Sequence, residues 1–75
     1  MIRRPPHYML WHGQEAIVCG TLDDCLRAAD ERGLLQSDDG AFYSLTDGAD
    51  IQVYPASGRL GWFVADEVAR AVEKA

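Results

Sequence analysis

Apolar positions between His7 and Gly20 crowd into two runs, Tyr8-Met9-Leu10-Trp11 and Ala16-Ile17-Val18-Cys19, separated by polar His12-Gly13-Gln14-Glu15. Gly13-Gln14 suits a two-residue hairpin turn, because glycine accepts the positive φ such a turn requires at its first position. The predicted hairpin sets His12 opposite Glu15, Trp11 opposite Ala16, Leu10 opposite Ile17, Met9 opposite Val18 and Tyr8 opposite Cys19. One face then carries Tyr8, Leu10, Ile17 and Cys19, the other Met9, Trp11, Ala16 and Val18, and both are apolar.

After Gly20 the period becomes helical. Leu22, Cys25, Leu26 and Ala29 recur at i, i+3, i+4 and i+7, with Asp23, Arg27, Asp30 and Glu31 turned to water, which predicts a helix over about 22–32. Thr21 is a capping residue, Asp23 and Asp24 sit where the helix dipole favours negative charge, and Gly33 supplies the stop. Beyond Leu34-Leu35, the segment Gln36-Ser37-Asp38-Asp39-Gly40 reads as a turn leading into the strand Ala41-Phe42-Tyr43-Ser44-Leu45. A second turn, Thr46 to Asp50, leads to Ile51-Gln52-Val53-Tyr54, where alternation continues until Pro55 ends the ladder. A third, Ala56 to Arg59, leads to Leu60-Gly61-Trp62-Phe63-Val64, and hairpin spacing makes these strands an antiparallel meander. Asp66 caps a final helix over about 67–74, with Val68, Ala69 and Val72 inward.

The order is therefore ββαβββα. Two short helices cannot cover both sides of the sheet, so the expected fold is α+β, an antiparallel sheet of about five short strands with both helices on one face. The other face stays open. Phe42-Tyr43 and Trp62-Phe63 are adjacent aromatic pairs on strands, and alternation sends one ring of each pair to the open side. An apolar patch of that kind marks an interaction surface, for a partner or for a second copy of the chain.

Composition narrows this picture. A 75-residue chain that is 48% hydrophobic and 25% charged supports a single domain, here residues 7–75, preceded by a flexible arm over 1–6 in which Pro5-Pro6 blocks helix and ladder alike. A core of this size has little room for a deep substrate pocket. The net charge is −5, and without Arg3 and Arg4 of the arm the body carries −7. Its remaining bases are scattered among more numerous acids, so a phosphate backbone is not an expected direct ligand, whereas a basic protein surface is. No stretch has the length of a membrane span or a signal-peptide core, which predicts a cytoplasmic protein without membrane contact. Cys19 and Cys25 are expected to be reduced.

Candidate chemistry is sparse. His7, His12, Cys19 and Cys25 follow no zinc spacing, and the hairpin register parts the two histidines, so no metal is expected. A thiol nucleophile finds no activating group, since Asp23 and Asp24 oppose ionisation of Cys25. Asp38-Asp39 and Asp47 with Asp50 lack the ligand pattern of a calcium loop and match ordinary turn chemistry. No glycine-rich phosphate loop occurs, so no cofactor is expected, and an exposed aromatic sheet without basic side chains is not an RNA-binding platform.

The expected function is thus a non-catalytic protein-binding module, an adaptor or inhibitor engaging a larger, basic partner. Trp11, Tyr43 and Trp62 are its candidate anchors, and Asp38, Asp39, Asp47 and Asp50 set approach and salt dependence. Carboxylates arrayed on a small rigid body can also imitate duplex phosphates, with Asp23 and Asp24 adding to the turn acids. In size and charge the chain is similar to small acidic proteins of phages and mobile elements, including anti-CRISPR proteins, a similarity of class that no motif narrows. The alternative is a structural homo-oligomer or accessory subunit, with two copies paired through the aromatic face.

Overall fold

The computed structural model describes residues 7–54 and 58–73. The arm expected at 1–6 lies outside the described residues, as do 55–57 and 74–75. The fold is α+β with antiparallel sheets and two helices. Its elements are β1 (His7–His12), β2 (Glu15–Gly20), α1 (Leu22–Glu31), β3 (Leu35–Ser37), β4 (Phe42–Leu45), β5 (Ala49–Tyr54), β6 (Gly58–Leu60), β7 (Trp62–Val64) and α2 (Ala65–Glu73). The strands form two sheets rather than one, a four-stranded sheet of order β2-β1-β5-β6 and a three-stranded sheet of order β3-β4-β7.

The split corrects the expected meander, and Gly61 is where the chain passes from the larger sheet to the smaller. In one straight strand over 60–64, Leu60, Trp62 and Val64 share a face and Phe63 opposes them. Instead the chain breaks at Gly61, where no side chain stabilises a strand interior, so Leu60 pairs with Ile51 in the larger sheet and Phe63 with Tyr43 in the smaller. Leu60 and Phe63 thereby both pack on the core while Trp62 stays outside. A second crossing lies between β4 and β5. Ala49 N–H donates to Thr46 C=O at 3.1 Å, and Gly13 N–H of the β1–β2 turn donates to Gly48 C=O, tying the two turns together.

The first hairpin keeps its predicted pairing only at its turn. His12 opposes Glu15 and Trp11 opposes Ala16, but a bulge then shifts the register so that Leu10 meets Val18, Met9 meets Cys19 and Tyr8 meets Gly20. The extra residue is Ile17. Burial provides the reason, because the shift lets Ile17 and Val18 both reach the core, where regular alternation sends one of them outward. Cys19 is consequently exposed on the outer side instead of sharing a face with Leu10.

Helix α1 begins in a reciprocal cap: Asp24 N–H donates to Thr21 Oγ1 at 3.1 Å, and Thr21 N–H donates to Asp24 Oδ2 at 3.2 Å. It ends at Gly33, whose φ of 73° permits Gly33 N–H to reach Asp30 C=O and Leu34 N–H to reach Ala29 C=O. Cys25, Leu26 and Ala29 are buried as the periodicity predicts. Helix α2 starts earlier than expected, with Asp66 inside it rather than capping it, and it buries Val68 and Ala71 while Ala69 is exposed. Arg27 Nε–H of α1 donates to Ala71 C=O of α2 at 3.3 Å, tying the two helices together.

Helix α1 lies against β1 and β2, α2 lies against β4 and β7, and the helices pack on each other. One cluster, with Leu10, Leu26, Ile51 and Phe63 as its largest members, joins both sheets and both helices. Leu10 and Ile51 are direct cross-strand partners and both are fully buried. Replacing Leu10 with alanine should therefore cost about 3 kcal/mol, from lost burial plus the cavity left behind, and Thr21→Ala about 1 kcal/mol from the lost cap. Urea denaturation followed by circular dichroism checks this order. A larger loss for Thr21→Ala would contradict the ranking of core over cap.

Candidate functional site

The inner face of the three-stranded sheet carries Tyr43, Leu45, Leu35 and Phe63, all in contact with the core cluster. Its outer face carries Phe42, Ser44, Gln36, Trp62 and Val64, and no described helix covers it. Trp62 is 63% exposed, Val64 45% and Phe42 37%. The rings of Phe42 and Trp62 meet edge to face with centroids 5.1 Å apart and planes at 83°, a favourable aromatic geometry that also holds the indole in place.

The β3–β4 turn places two carboxylates beside these rings. Asp38 N–H donates to Phe42 C=O at 3.0 Å, and Ala41 N–H donates to Asp39 Oδ1 at 3.0 Å, the side-chain-closed turn that favours aspartate before glycine. Ser44 Oγ–H donates to Asp38 Oδ1 at 2.9 Å, and Gln36 Nε2–H donates to Ser44 Oγ at 3.3 Å. Both acids are thus held on one oxygen each. Neither has an ion-pair partner among the described residues. Asp38, Asp39, Phe42, Ser44, Gly61 and Trp62 together line an open groove of about 320 Å³.

Of the seven residues singled out by sequence, Trp62, Asp38 and Asp39 come together at this groove. Tyr43 does not join them, because pairing with Phe63 turns it to the inner face, where it lines a separate cleft with Val68 and Val72 of α2. Trp11 lies on the outer face of the four-stranded sheet, half-buried and in register with Asp50, and its indole N–H has no hydrogen-bond partner among the described residues. Asp50 faces Arg59 at 3.7 Å, and Asp47 is exposed in the β4–β5 turn. Phe42 and Ser44 were missed. The signal was their shared phase, since a serine two residues from Phe42 marks that side as the wet one and leaves Tyr43 and Leu45 for the core.

The groups considered for catalysis or metal binding are dispersed. Among the described residues no group of three or more His, Cys, Asp or Glu is placed to hold a metal ion. His7 and His12 lie at opposite ends of β1, and no described helix is long and apolar enough to cross a membrane. Both cysteines are free, with Cys19 exposed and Cys25 fully buried. Burial, with Asp24 nearby, pushes the Cys25 thiol from its ordinary 9.0 up to about 11, the reverse of nucleophile activation. Comparison of the chain with known protein families, with characterised proteins and with solved structures finds no match, so the functional reading rests on these residues.

The folded chain holds the Cys25 proton more tightly than the unfolded chain does. Its contribution to stability is therefore whole below about pH 9 and is lost as pH rises towards about 11. Urea melts across that window should show a steeper decline for the wild type than for Cys25→Ala. In the native protein a maleimide should label Cys19 and spare Cys25; parallel declines with rapid labelling of both thiols would show that Cys25 is not held protonated in the core.

Proposed function

We propose that this protein is a small, acidic, non-catalytic binding module, an adaptor or inhibitor, that docks the outer face of its three-stranded sheet on a larger, basic protein. The observation that carries this reading is the exposed Phe42–Trp62 pair beside Asp38 and Asp39, carboxylates without a cation among the described residues. Tryptophan anchors contribute heavily at interfaces when a partner removes them from water. Acidic groups at the rim steer a basic surface into place and make association sensitive to salt.

Electrostatics also favours a different protein over a second copy. In a two-fold pairing the same patch meets itself, so Asp38 and Asp39 of both copies converge on one interface with no described cation paired to them. The support for a basic partner is local rather than a duplex-like stripe along the whole surface. Asp24 is engaged in the α1 cap and lies 3.6 Å from Arg27, and Asp50 lies beside Arg59. The sharper form of the reading is inhibition: a partner whose basic surface serves nucleic acid would be blocked while that surface is covered by this module.

The test is capture of a stoichiometric partner from native lysate by immobilised wild type and variants. Trp62→Ala should lose the partner by tenfold or more, the scale of an aromatic hot spot, with little change in stability because the ring is exposed. Tyr54→Ala removes a ring that is 61% exposed on the other sheet and should retain it. Capture unchanged by Trp62→Ala would remove the reading. A wild-type dimer in sedimentation, dissociated by the same substitution, would assign the face to self-association instead.

A further inference from the structure

The geometry points to an arginine side chain of the partner protein as the group that enters the groove, its guanidinium stacked on Trp62 and hydrogen-bonded to Asp38 and Asp39. This rests on the proposed reading of the outer face as a protein-docking surface and states what that surface recognises. Three observations lead to it. The groove has an aromatic wall that is open to solvent, and a cation over an indole face is attracted by the ring's electron density. Its other wall carries two carboxylates, each anchored through Oδ1 by Ser44 Oγ or Ala41 N–H, so each presents an oxygen that no described residue engages. Its volume of about 320 Å³ is at the small end of ligand pockets, suited to a single side chain rather than a folded segment.

Arginine fits these walls better than lysine. A guanidinium is planar, so it can lie against the indole while N–H groups on its edge reach two acceptors, whereas an ammonium is a compact, strongly hydrated charge that gives up its water at a cost. Anchoring of the acids before binding adds to this, because little side-chain freedom remains to be lost. Gly61 lines the groove without a side chain, and a Cβ built at that position meets nothing within 4 Å outside its chain neighbours.

The experiment is an amide and indole nuclear magnetic resonance titration of the whole chain with three blocked tripeptides, Gly-Arg-Gly, Gly-Lys-Gly and Gly-citrulline-Gly. The arginine peptide should give saturable shifts at the Trp62 indole N–H and the amides of Asp38, Asp39, Ser44 and Gly61, and should bind about tenfold more tightly than its neutral citrulline isostere. Asp38→Asn with Asp39→Asn keeps both anchoring acceptors and should weaken arginine binding by a similar factor, and so should Trp62→Leu. Equal binding of citrulline or lysine, or no localised shifts with arginine, would overturn the inference. Shifts at the same residues produced by raising the protein concentration alone would overturn it in favour of a second copy. Failure of the arginine peptide while Trp62→Ala still abolishes partner capture would leave the docking face standing without its arginine; failure of both would remove the two together.

Discussion

A single core shared by two small sheets is the constraint on which the rest of the structure depends. Neither sheet is large enough to bury its own apolar face, and neither helix covers more than part of the problem. The chain solves this by changing sheets three times, across α1, at the β4–β5 turn and at Gly61. The last change matters most. It brings Leu60 and Phe63 inward from neighbouring strands and leaves Trp62 between them with nowhere to go but out. The exposed tryptophan is thus a product of how the core closes, and the site and the fold share one cause.

Local signals in the sequence were reliable where the physics is local. The Thr21 cap, the buried stripe of Cys25, Leu26 and Ala29 and the Gly33 stop all appear as their spacing predicts, because a helix is specified by residues within a few positions of one another. The β3–β4 turn follows the same logic through Asp39 and Gly40. Non-local choices were less legible. Whether Leu60 and Phe63 belong to one strand or two depends on what waits for them on β5 and β4, some ten to twenty residues away, and no pattern within 60–64 contains that information. The bulge at Ile17 is similar, since both Ile17 and Val18 are apolar and only the core's demand for both displaces the register.

The candidate site was legible to the same depth. Trp62, Asp38 and Asp39 could be found from alternation and turn chemistry, whereas choosing Tyr43 over Phe42 required the register of β4 against β7. The acids divide in a way that composition alone does not show. Asp24 works in the helix cap and beside Arg27, Asp50 sits against Arg59, and Asp38 and Asp39 are left with hydrogen bonds but no counter-charge among the described residues. Net charge describes the whole chain, whereas Asp38 and Asp39 are the acids that line the groove with Phe42 and Trp62.

The bulge in β2 has a bearing on how the molecule meets other chains. Sheet edges with long, flat rows of free backbone groups invite a foreign strand to add on, which is the first step of uncontrolled association. Here β3, β6 and β7 are edges of three residues each, too short to act as a template. The remaining edge, β2, has six residues, and it is the one that the displaced Ile17 interrupts and twists. A crowded solution therefore finds little main chain to zip onto among the described strands, and contact between molecules falls to side chains on the sheet faces.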